Sequence, residues 1–420
     1  MSHMTQIVLI SISGKDHPGL TSAFAHVLGE TGATLLDIGQ AVIHDALALG
    51  LMVRVPSRKV DELRRKIARK AAELSVNAYV THISEDDHRH WVHKQHKQRF
   101  IVTVLAERIG GAQLAAISEI FAARGINIDT MDRLSSRGAA TDLEPRMCIE
   151  FNVSGDRIDA IDLRRALLSL ADQCSIDIAV QQDSIFRRNR RLVVFDMDST
   201  LIQMEVIDEL ARLAGAADKV SAITAAAMRG ELDFESSFRR RLKLLGGLSE
   251  NAIAEVAGRL PVTAGAERLL RTLKLLGYKT AILSGGFGCF ARRLQQDLGF
   301  DFVYANELAV QDGVITGEPV GEIITASRKA DLLRQLATEQ GLSLEQTIAV
   351  GDGANDLPML SIAGLGVAFH AKPVVRERAQ HSISRMGLDA LLYLIGIRDR
   401  YTESAPPHEV GGETSGRTGC

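Results

Sequence analysis

The stretch "VVFDMDST", residues 193–200, drives three apolar residues straight into two aspartates, Asp196 and Asp198. An unbroken apolar run ending in polar groups reads as a buried strand whose C-terminal end opens on a site. Two carboxylates two residues apart repel, so a positive group or a shared proton has to make the arrangement tolerable.

Outward from this stretch, the chain alternates strands with helices, the mark of a parallel sheet. Strand-like runs fall at 191–196, 279–284, 346–350, 364–369 and 381–384. Residues 204–260 read as helical segments only, an insertion after the first strand. Within 302–320, "LAVQDGVITGEPV" places Asp-Gly between apolar stretches, which predicts a hairpin. Three further polar clusters accompany this pattern: Ser284 in "AILSGGFG" (281–288), Lys329 in "SRKADLL", and "GDGAND" (351–356) after "TIAV". In an open parallel sheet ligands bind beyond the carboxyl ends of the strands, so the clusters are expected to meet at one edge, with Lys329 reaching it from a helix start.

Each residue type suits one chemistry. A carboxylate is ionised near neutral pH and needs no base to act as a nucleophile. Its attack on a phosphate dianion requires its charge to be offset, and Mg²⁺ held by the carboxylates of Asp196 and Asp352 would do that. With Lys329 added, the net charge of phosphate, carboxylates and cations falls to about −1. Asp198, protonated beside its neighbour, is suited to hand a proton to a leaving alkoxide and then to activate water. Ser284 and the Gly285 amide offer neutral donors at an expected helix start. Taken singly the signals are weak: a lone D-x-D is more often a turn or cap, and Lys329 alone reads as a solvated helix residue. An EF-hand is excluded by Leu201 and Ile207 where Gly and Glu are needed, "GGFG" is no dinucleotide fingerprint, and a P-loop motif is missing. The joint occurrence of all four clusters, in order, carries the reading.

Upstream lies an internal repeat. Residues 5–82 read strand, helix, strand, strand, helix, strand, and the order recurs about 93 residues later from "RFIVTVLA" (99–106) to "SIDIAVQQ" (175–182). Each copy is βαββαβ of ferredoxin-like type. In the first, a helix is expected over 16–32 with Pro18 in its first turn and Gly32 past its end. Between the copies, "EDDHRHWVHKQHK" (85–97) carries His88, His90, His93 and His96; it reads as a solvated linker, a transition-metal site being the alternative. The tail 402–420 is rich in Pro, Gly and Ser and is expected to be disordered.

Composition sets the outer bounds. The 420 residues allow two to four domains of roughly 150 residues each. Hydrophobic content of 46% and charged content of 24% are those of an ordinary water-soluble globular chain. A net charge of −3 gives no reason to expect nucleic acid or an anionic membrane as partner. No apolar run approaches the ~20 residues of a membrane helix. The N-terminus lacks a basic stretch followed by an apolar core, so no secretory signal is expected. Four scattered cysteines, without a C-x-x-C pair, fit a reducing cytoplasm.

"DMDST", Ser284, Lys329 and "GDGAND" together resemble the four motifs of the haloacid dehalogenase superfamily, and most closely its phosphoserine phosphatase branch. The two repeats, with "DHPG" (16–19) in the first and "RIGG" (108–111) in the second, resemble amino-acid-sensing ACT domains. The resemblance implies an α/β fold: a Rossmann-like, haloacid-dehalogenase-type parallel-sheet domain over 190–398 with a helical cap at about 204–262. Ahead of it stand two ferredoxin-like ACT domains at 4–83 and 99–183, joined by a linker at 84–98. It implies Mg²⁺-dependent hydrolysis of O-phospho-L-serine to L-serine through an aspartyl-phosphate on Asp196, the last step of serine biosynthesis, with Asp198 as general acid/base. Mg²⁺ would be held by Asp196, Asp352 and the Asp198 carbonyl, with Asp356 in support. Ser284, Gly285 and Lys329 would bind phosphate, and Asn355 the substrate. Glu205 and Arg241 would hold the substrate's ammonium and carboxylate, with Met228 and Phe234 lining the cap. Arg suits a carboxylate better than Lys, and a basic helical face is the ordinary alternative for Arg241 within "RRRLKLL" (239–245). Asp16, Gly19, Gly110 and Gly111 are the candidate effector residues for serine or another amino acid, and ACT pairing implies a homodimer. Hydrolysis of another small phosphomonoester, and an amino-acid sensor with a vestigial catalytic domain, are the alternatives.

Overall fold

The computed structural model describes residues 4–93, 97–136 and 146–402. Two compact units result, one through Lys97 and one from Gln98 onward.

The first unit contains β1 (Thr5–Lys15), α1 (Leu20–Thr31), β2 (Thr34–Ile43), β3 (Ala46–Pro56), α2 (Val60–Glu73) and β4 (Asn77–Ile83). The strands form one antiparallel sheet in the order β2-β3-β1-β4. β1 alternates: Val8, Ile10 and Ile12 pack with Phe24, Leu63 and Ile67 under the helices, while Ser11 and Ser13 face outward. α1 begins later than the sequence suggests. Gly19 sits in the left-handed region at φ 95°, which leaves Pro18 in the preceding turn and starts the helix at Leu20. The linker region is also more ordered than expected, since α3 spans Glu85–His93. The Ser84 hydroxyl accepts from the Asp87 amide at 3.0 Å, and three acidic residues occupy the first turn, where the helix dipole favours them. His88 lies 5.8 Å from the Trp91 ring and His90 bonds back to the Asp86 carbonyl. His96 and the tail from residue 403 lie outside the described residues.

The second unit opens with β5 (Gln98–Ala106), α4 (Gly111–Ala122), β6 (Asn127–Arg133), β7 (Met147–Gly155), α5 (Ala160–Cys174) and β8 (Asp177–Gln182), again antiparallel in the order β6-β7-β5-β8. Here both faces of the sheet are covered. Val102, Val104 and Phe151 pack with Phe121 and Leu163 of its own helices. Leu105, Cys148 and Ala179 on the other face join the core of the domain that follows.

That domain runs β9 (Leu192–Phe195), α6 (Val206–Leu213), α7 (Ala217–Met228), α8 (Phe234–Lys243), α9 (Glu250–Ala257), α10 (Ala266–Leu275), β10 (Lys279–Phe287), α11 (Gly288–Leu298), β11 (Phe302–Gln311), β12 (Val314–Val320), α12 (Ala326–Glu339), β13 (Thr347–Gly351), α13 (Leu357–Ile362), β14 (Leu365–Phe369), α14 (Pro373–Arg378), β15 (His381–Ile383) and α15 (Leu391–Leu394). Seven strands pair in the order β12-β11-β10-β9-β13-β14-β15, all parallel except the β11–β12 hairpin. The α/β fold expected from the strand–helix alternation is present, with α6–α9 as the helical insertion. β9 is central, so its side chains alternate between two buried layers. Val193 and Phe195 pack toward α10 and α11, and Leu192 and Val194 toward α12 and α13. The strand order reverses at β9, between β10 and β13, which is where an open parallel sheet presents a crevice. No helix among the described residues is long and apolar enough to cross a membrane.

Candidate active site

Residues 196–200 follow β9 directly into this crevice. The Asp196 amide donates to the Val350 carbonyl at 2.9 Å, continuing the β9–β13 ladder by one residue and fixing the buried Asp196 carboxylate at the sheet edge. From α12, Lys329 reaches the same point, fully buried, and its Nζ lies 2.7 Å from Asp196 Oδ1 and 2.7 Å from Asp356 Oδ1. Burial alone would lower the pKa of this ammonium; the two carboxylates more than reverse that and hold it above the ordinary lysine value. Asp352 accepts from the Thr200 hydroxyl at 3.2 Å. Carboxylate oxygens of Asp196, Asp352 and Asp356 all lie within 4.8 Å of one another.

This is more negative charge than one lysine neutralises. Burial, then repulsion from Asp196 and Asp356, pushes the Asp352 carboxyl up to about 8. Burial, then Asp196, pushes Asp356 up to about 6 against the pull of Lys329. Asp198 is raised well above the usual carboxylate range by desolvation, then by Glu205 and Asp196. A hard cation with oxygen ligands fits such a donor set. Within it Asp356 is already engaged on both oxygens, by Lys329 on Oδ1 and by the Gly353 amide at 3.0 Å on Oδ2, whereas among the described residues Asp352 is hydrogen-bonded by Thr200 alone.

Asp198 Oδ1 accepts from the Val206 amide at the first turn of α6 at 3.1 Å, which ties the acid to the insertion. Its other oxygen packs against Gly286: a Cβ there would stand 2.4 Å from Asp198 Oδ2. Ser284, fully buried, accepts from the Gly286 amide at 2.8 Å, so its own hydroxyl hydrogen is available. The sequence placed Ser284 at a helix start. Instead β10 stays extended through Phe287, re-pairing with Asn306 after an irregularity, and α11 begins only at Gly288. The Gly285 carbonyl is held by Asn306 Nδ2 at 2.7 Å, and Asn306 Oδ1 in turn accepts from the Ile324 amide at 2.7 Å.

The insertion contributes Glu205, Arg241 and Phe234. Glu205 precedes α6 and accepts from the hydroxyl of Ser199, itself in the left-handed region at φ 57°. Glu205 keeps solvent access, yet neighbouring atoms desolvate it enough to raise its carboxyl above the usual value. Arg241, half-buried on α8, has its pKa lowered by burial; Glu205, Asp208 and Asp198 oppose that, and its buried Nε has no partner among the described residues. The Phe234 ring edge approaches Gly285, where a Cβ would lie 3.1 Å from Cζ, and the ring stacks on Phe238. Asn355 is half-buried over Gly353. Met228 stands apart: it is 65% exposed at the end of α7, with the Lys372 ammonium 4.0 Å from its sulfur. Asp16 and Gly19 lie exposed ahead of α1, and Gly110 and Gly111 open α4, where Gln113 Oε1 accepts from the Gly110 amide. Ser199, Thr200, Gly286 and Asn306 went unnoticed in the sequence. The first two stand inside "DMDST" and were legible there; Asn306, polar within "FVYANELAV", was the other visible signal.

The haloacid dehalogenase-like hydrolase family model matches residues 193–361, and ACT-domain models match 6–81 and 99–181. A phosphoserine phosphatase of Streptomyces coelicolor is 42% identical over 400 residues, covering 95% of this chain and 94% of that protein. The chain belongs to the phosphoserine phosphatase family. A second member, from Mycobacterium tuberculosis, is 41% identical over 406 residues, with 96% of each chain covered. Among solved structures, a haloacid dehalogenase family hydrolase of Salmonella enterica superposes with a TM-score of 0.62 at 32% identity, over 71% of this chain and 98% of that one. The family explains both halves of the sequence pattern, the four-motif crevice and the tandem ACT repeats before it.

Proposed function

We propose that this chain hydrolyses O-phospho-L-serine to L-serine and phosphate, with Asp196 as nucleophile and Asp198 as general acid/base. The observation that carries the reading is the buried Lys329 ammonium clamped between Asp196 and Asp356 beside Asp198, a buried carboxyl tied to the insertion by the Val206 amide, whose pKa desolvation, Glu205 and Asp196 raise above the usual range. Lys329 occupies Asp196 Oδ1, which leaves Oδ2 for attack on phosphorus. As that P–O bond forms, the bond to the serine oxygen breaks and Asp198 gives its proton to the departing alkoxide. Asp198, now a carboxylate, takes a proton from water; the hydroxide attacks phosphorus, releasing phosphate and restoring Asp196. The free Ser284 hydroxyl and the Gly285 amide are assigned to the phosphate oxygens, Lys329 to the same group, and Asn355 to the substrate. Asp196, Asp352 and the Asp198 carbonyl are the assigned Mg²⁺ ligands with Asp356 in support, and the ion when bound offsets the charge of phosphate and carboxylates. Phosphate release from phosphoserine in Mg²⁺ buffer tests the reading: abolition by EDTA and recovery on adding Mg²⁺ is expected, and turnover indifferent to chelation overturns it.

Glu205 and Arg241 separate phosphoserine from other phosphomonoesters. An anion and a guanidinium with an unpartnered nitrogen match the ammonium and carboxylate of a zwitterion. Glu205→Gln and Arg241→Ala are each expected to lower kcat/KM for phosphoserine roughly 10- to 100-fold while sparing an aryl phosphate. Equal losses on both substrates would favour the broader phosphatase. Phe234 is assigned to the cap lining, and Met228 to its outer lip.

Gly286 leaves room for the acid. Gly286→Ala is expected to cost roughly 100-fold in kcat, with an unchanged circular dichroism spectrum, because the new methyl must displace the Asp198 carboxyl. Near-parent kcat would remove Asp198 from the proton transfers.

For the ACT domains we assign Asp16, Gly19, Gly110 and Gly111 to an amino-acid effector such as serine; Asp16→Ala should then change the response of turnover to L-serine. A homodimer is supported by the apolar side chains that the first unit exposes on β2 and β4, among them Leu35, Ile38, Val42 and Tyr79. Free thiols at Cys148, Cys174 and Cys289 support a cytoplasmic location.

A further inference from the structure

Between β10 and β11 the ladder is interrupted at the crevice. Leu283 faces Tyr304 and Phe287 faces Asn306, so β10 carries Ser284, Gly285 and Gly286 where β11 has Ala305 alone. Such a bulge takes residues out of backbone pairing and re-aims them, and the backbone groups it releases need other partners. The Ser284 hydroxyl meets the Gly286 amide, and Asn306 meets the Gly285 carbonyl from across the sheet, its Nδ2 donating at 2.7 Å.

The same side chain has a second hold. Asn306 Oδ1 accepts from the Ile324 amide at 2.7 Å. One partner is a carbonyl and the other an N–H, so the neighbours fix which way the side-chain amide points. Asn306 is 1% exposed, out of reach of bulk water. Ile324 leads directly into α12. Thr325 caps that helix, its hydroxyl accepting from the Arg328 amide at 3.3 Å and its carbonyl from the Lys329 amide at 3.0 Å. From this first turn the Lys329 side chain runs to Asp196 and Asp356. One buried amide thus joins the segment that carries Gly285 to the segment that carries Lys329. Both of its bonds go to backbone, so it acts on the crevice through those two segments.

We propose, on the assignment of the Gly285 amide and Lys329 to phosphate, that Asn306 is a positioning residue for phosphoryl transfer, setting the separation of these two donors so that both meet one phosphate. Donors stabilise a transferring phosphoryl group only when they are held in place before it arrives, and a displacement of about 1 Å can cost about 10²-fold. Loss of Asn306 harms every step that depends on the phosphoryl group and leaves recognition of the rest of the substrate as it was.

Asn306→Asp and Asn306→Ala test this with orthovanadate, a mimic of the phosphoryl group in transfer, as the probe. Asp keeps an acceptor for the Ile324 amide and turns a carboxylate oxygen toward the Gly285 carbonyl; Ala removes both bonds and buries no charge. Each should raise the vanadate inhibition constant roughly tenfold or more and lower kcat roughly 100-fold, equally with phosphoserine and with an aryl phosphate. An inhibition constant does not depend on how much of the sample is folded, so a residue that merely braces the sheet would lower Tm and leave that constant in place. An unchanged constant in a variant that folds overturns the proposal. A loss confined to phosphoserine also overturns it, since the effect would then lie in the cap. Two variants that both fail to fold assign Asn306 to the stability of the sheet and overturn it as well. A parent enzyme insensitive to orthovanadate fails the phosphatase reading itself, and the proposal with it.

Discussion

Asp196→Asn is expected to lower phosphate release from phosphoserine by at least ~10⁴-fold, since removing a covalent nucleophile leaves only binding and electrostatic positioning. The substitution is nearly isosteric. The amide oxygen still accepts from Lys329, and the Asp196 backbone bond to Val350 is untouched. The melting temperature should therefore stay within a few degrees of the parent, which separates loss of chemistry from loss of fold. A parent protein equally inert with Mg²⁺ would instead favour the sensor with a vestigial catalytic domain.

Lys329→Met should be damaging in both respects. Among the described residues it removes the only ammonium bonded to Asp196 and Asp356, side chains almost wholly removed from water. Breaking a buried ion pair by deleting one partner costs about 3–5 kcal/mol, because the carboxylates left behind repel each other in a poorly solvated pocket. For a domain of this size that corresponds to a drop in Tm of roughly 6–20 °C. Activity should fall by at least ~10³-fold, as expected when a fixed charge facing the transferred phosphoryl group is lost. A variant as stable as the parent in differential scanning calorimetry would show that the lysine is not the counter-charge holding the aspartates in place.

Much of the site was legible in "DMDST", "AILSGG" and "GDGAND" because local chain geometry does the positioning there. A buried parallel strand must end at the sheet edge, so the residue after it projects into the crevice. Lys329 was legible only in combination, since its 133-residue separation from Asp196 is bridged by tertiary structure. Features set by remote contacts were not legible. Ser284 lies in an extended segment because Asn306 re-pairs with Phe287 across the sheet. The start of α1 turned on a single left-handed glycine. The largest surprise is the covering of the second ACT-like sheet on both faces, and a sequence signal for it existed. In the first domain β1 alternates, "VLISIS" placing serines outward. Its counterpart "FIVTVLA" is apolar almost throughout, as a doubly covered strand should be. The groups that bind that second face, such as the Asp177 carboxylate accepting from the Ser384 and Arg385 amides, lie more than 200 residues from their partners.

The proposed chemistry stands or falls on a phosphoryl group passing through one side-chain oxygen. Rapid acid quench of the enzyme turning over ³²P-labelled phosphoserine, followed by peptide mapping, examines this directly. Label on the peptide containing Asp196, lost on alkaline treatment and never seen in Asp196→Asn, is the predicted result. Label on another residue, or a protein free of label throughout active turnover, would contradict it.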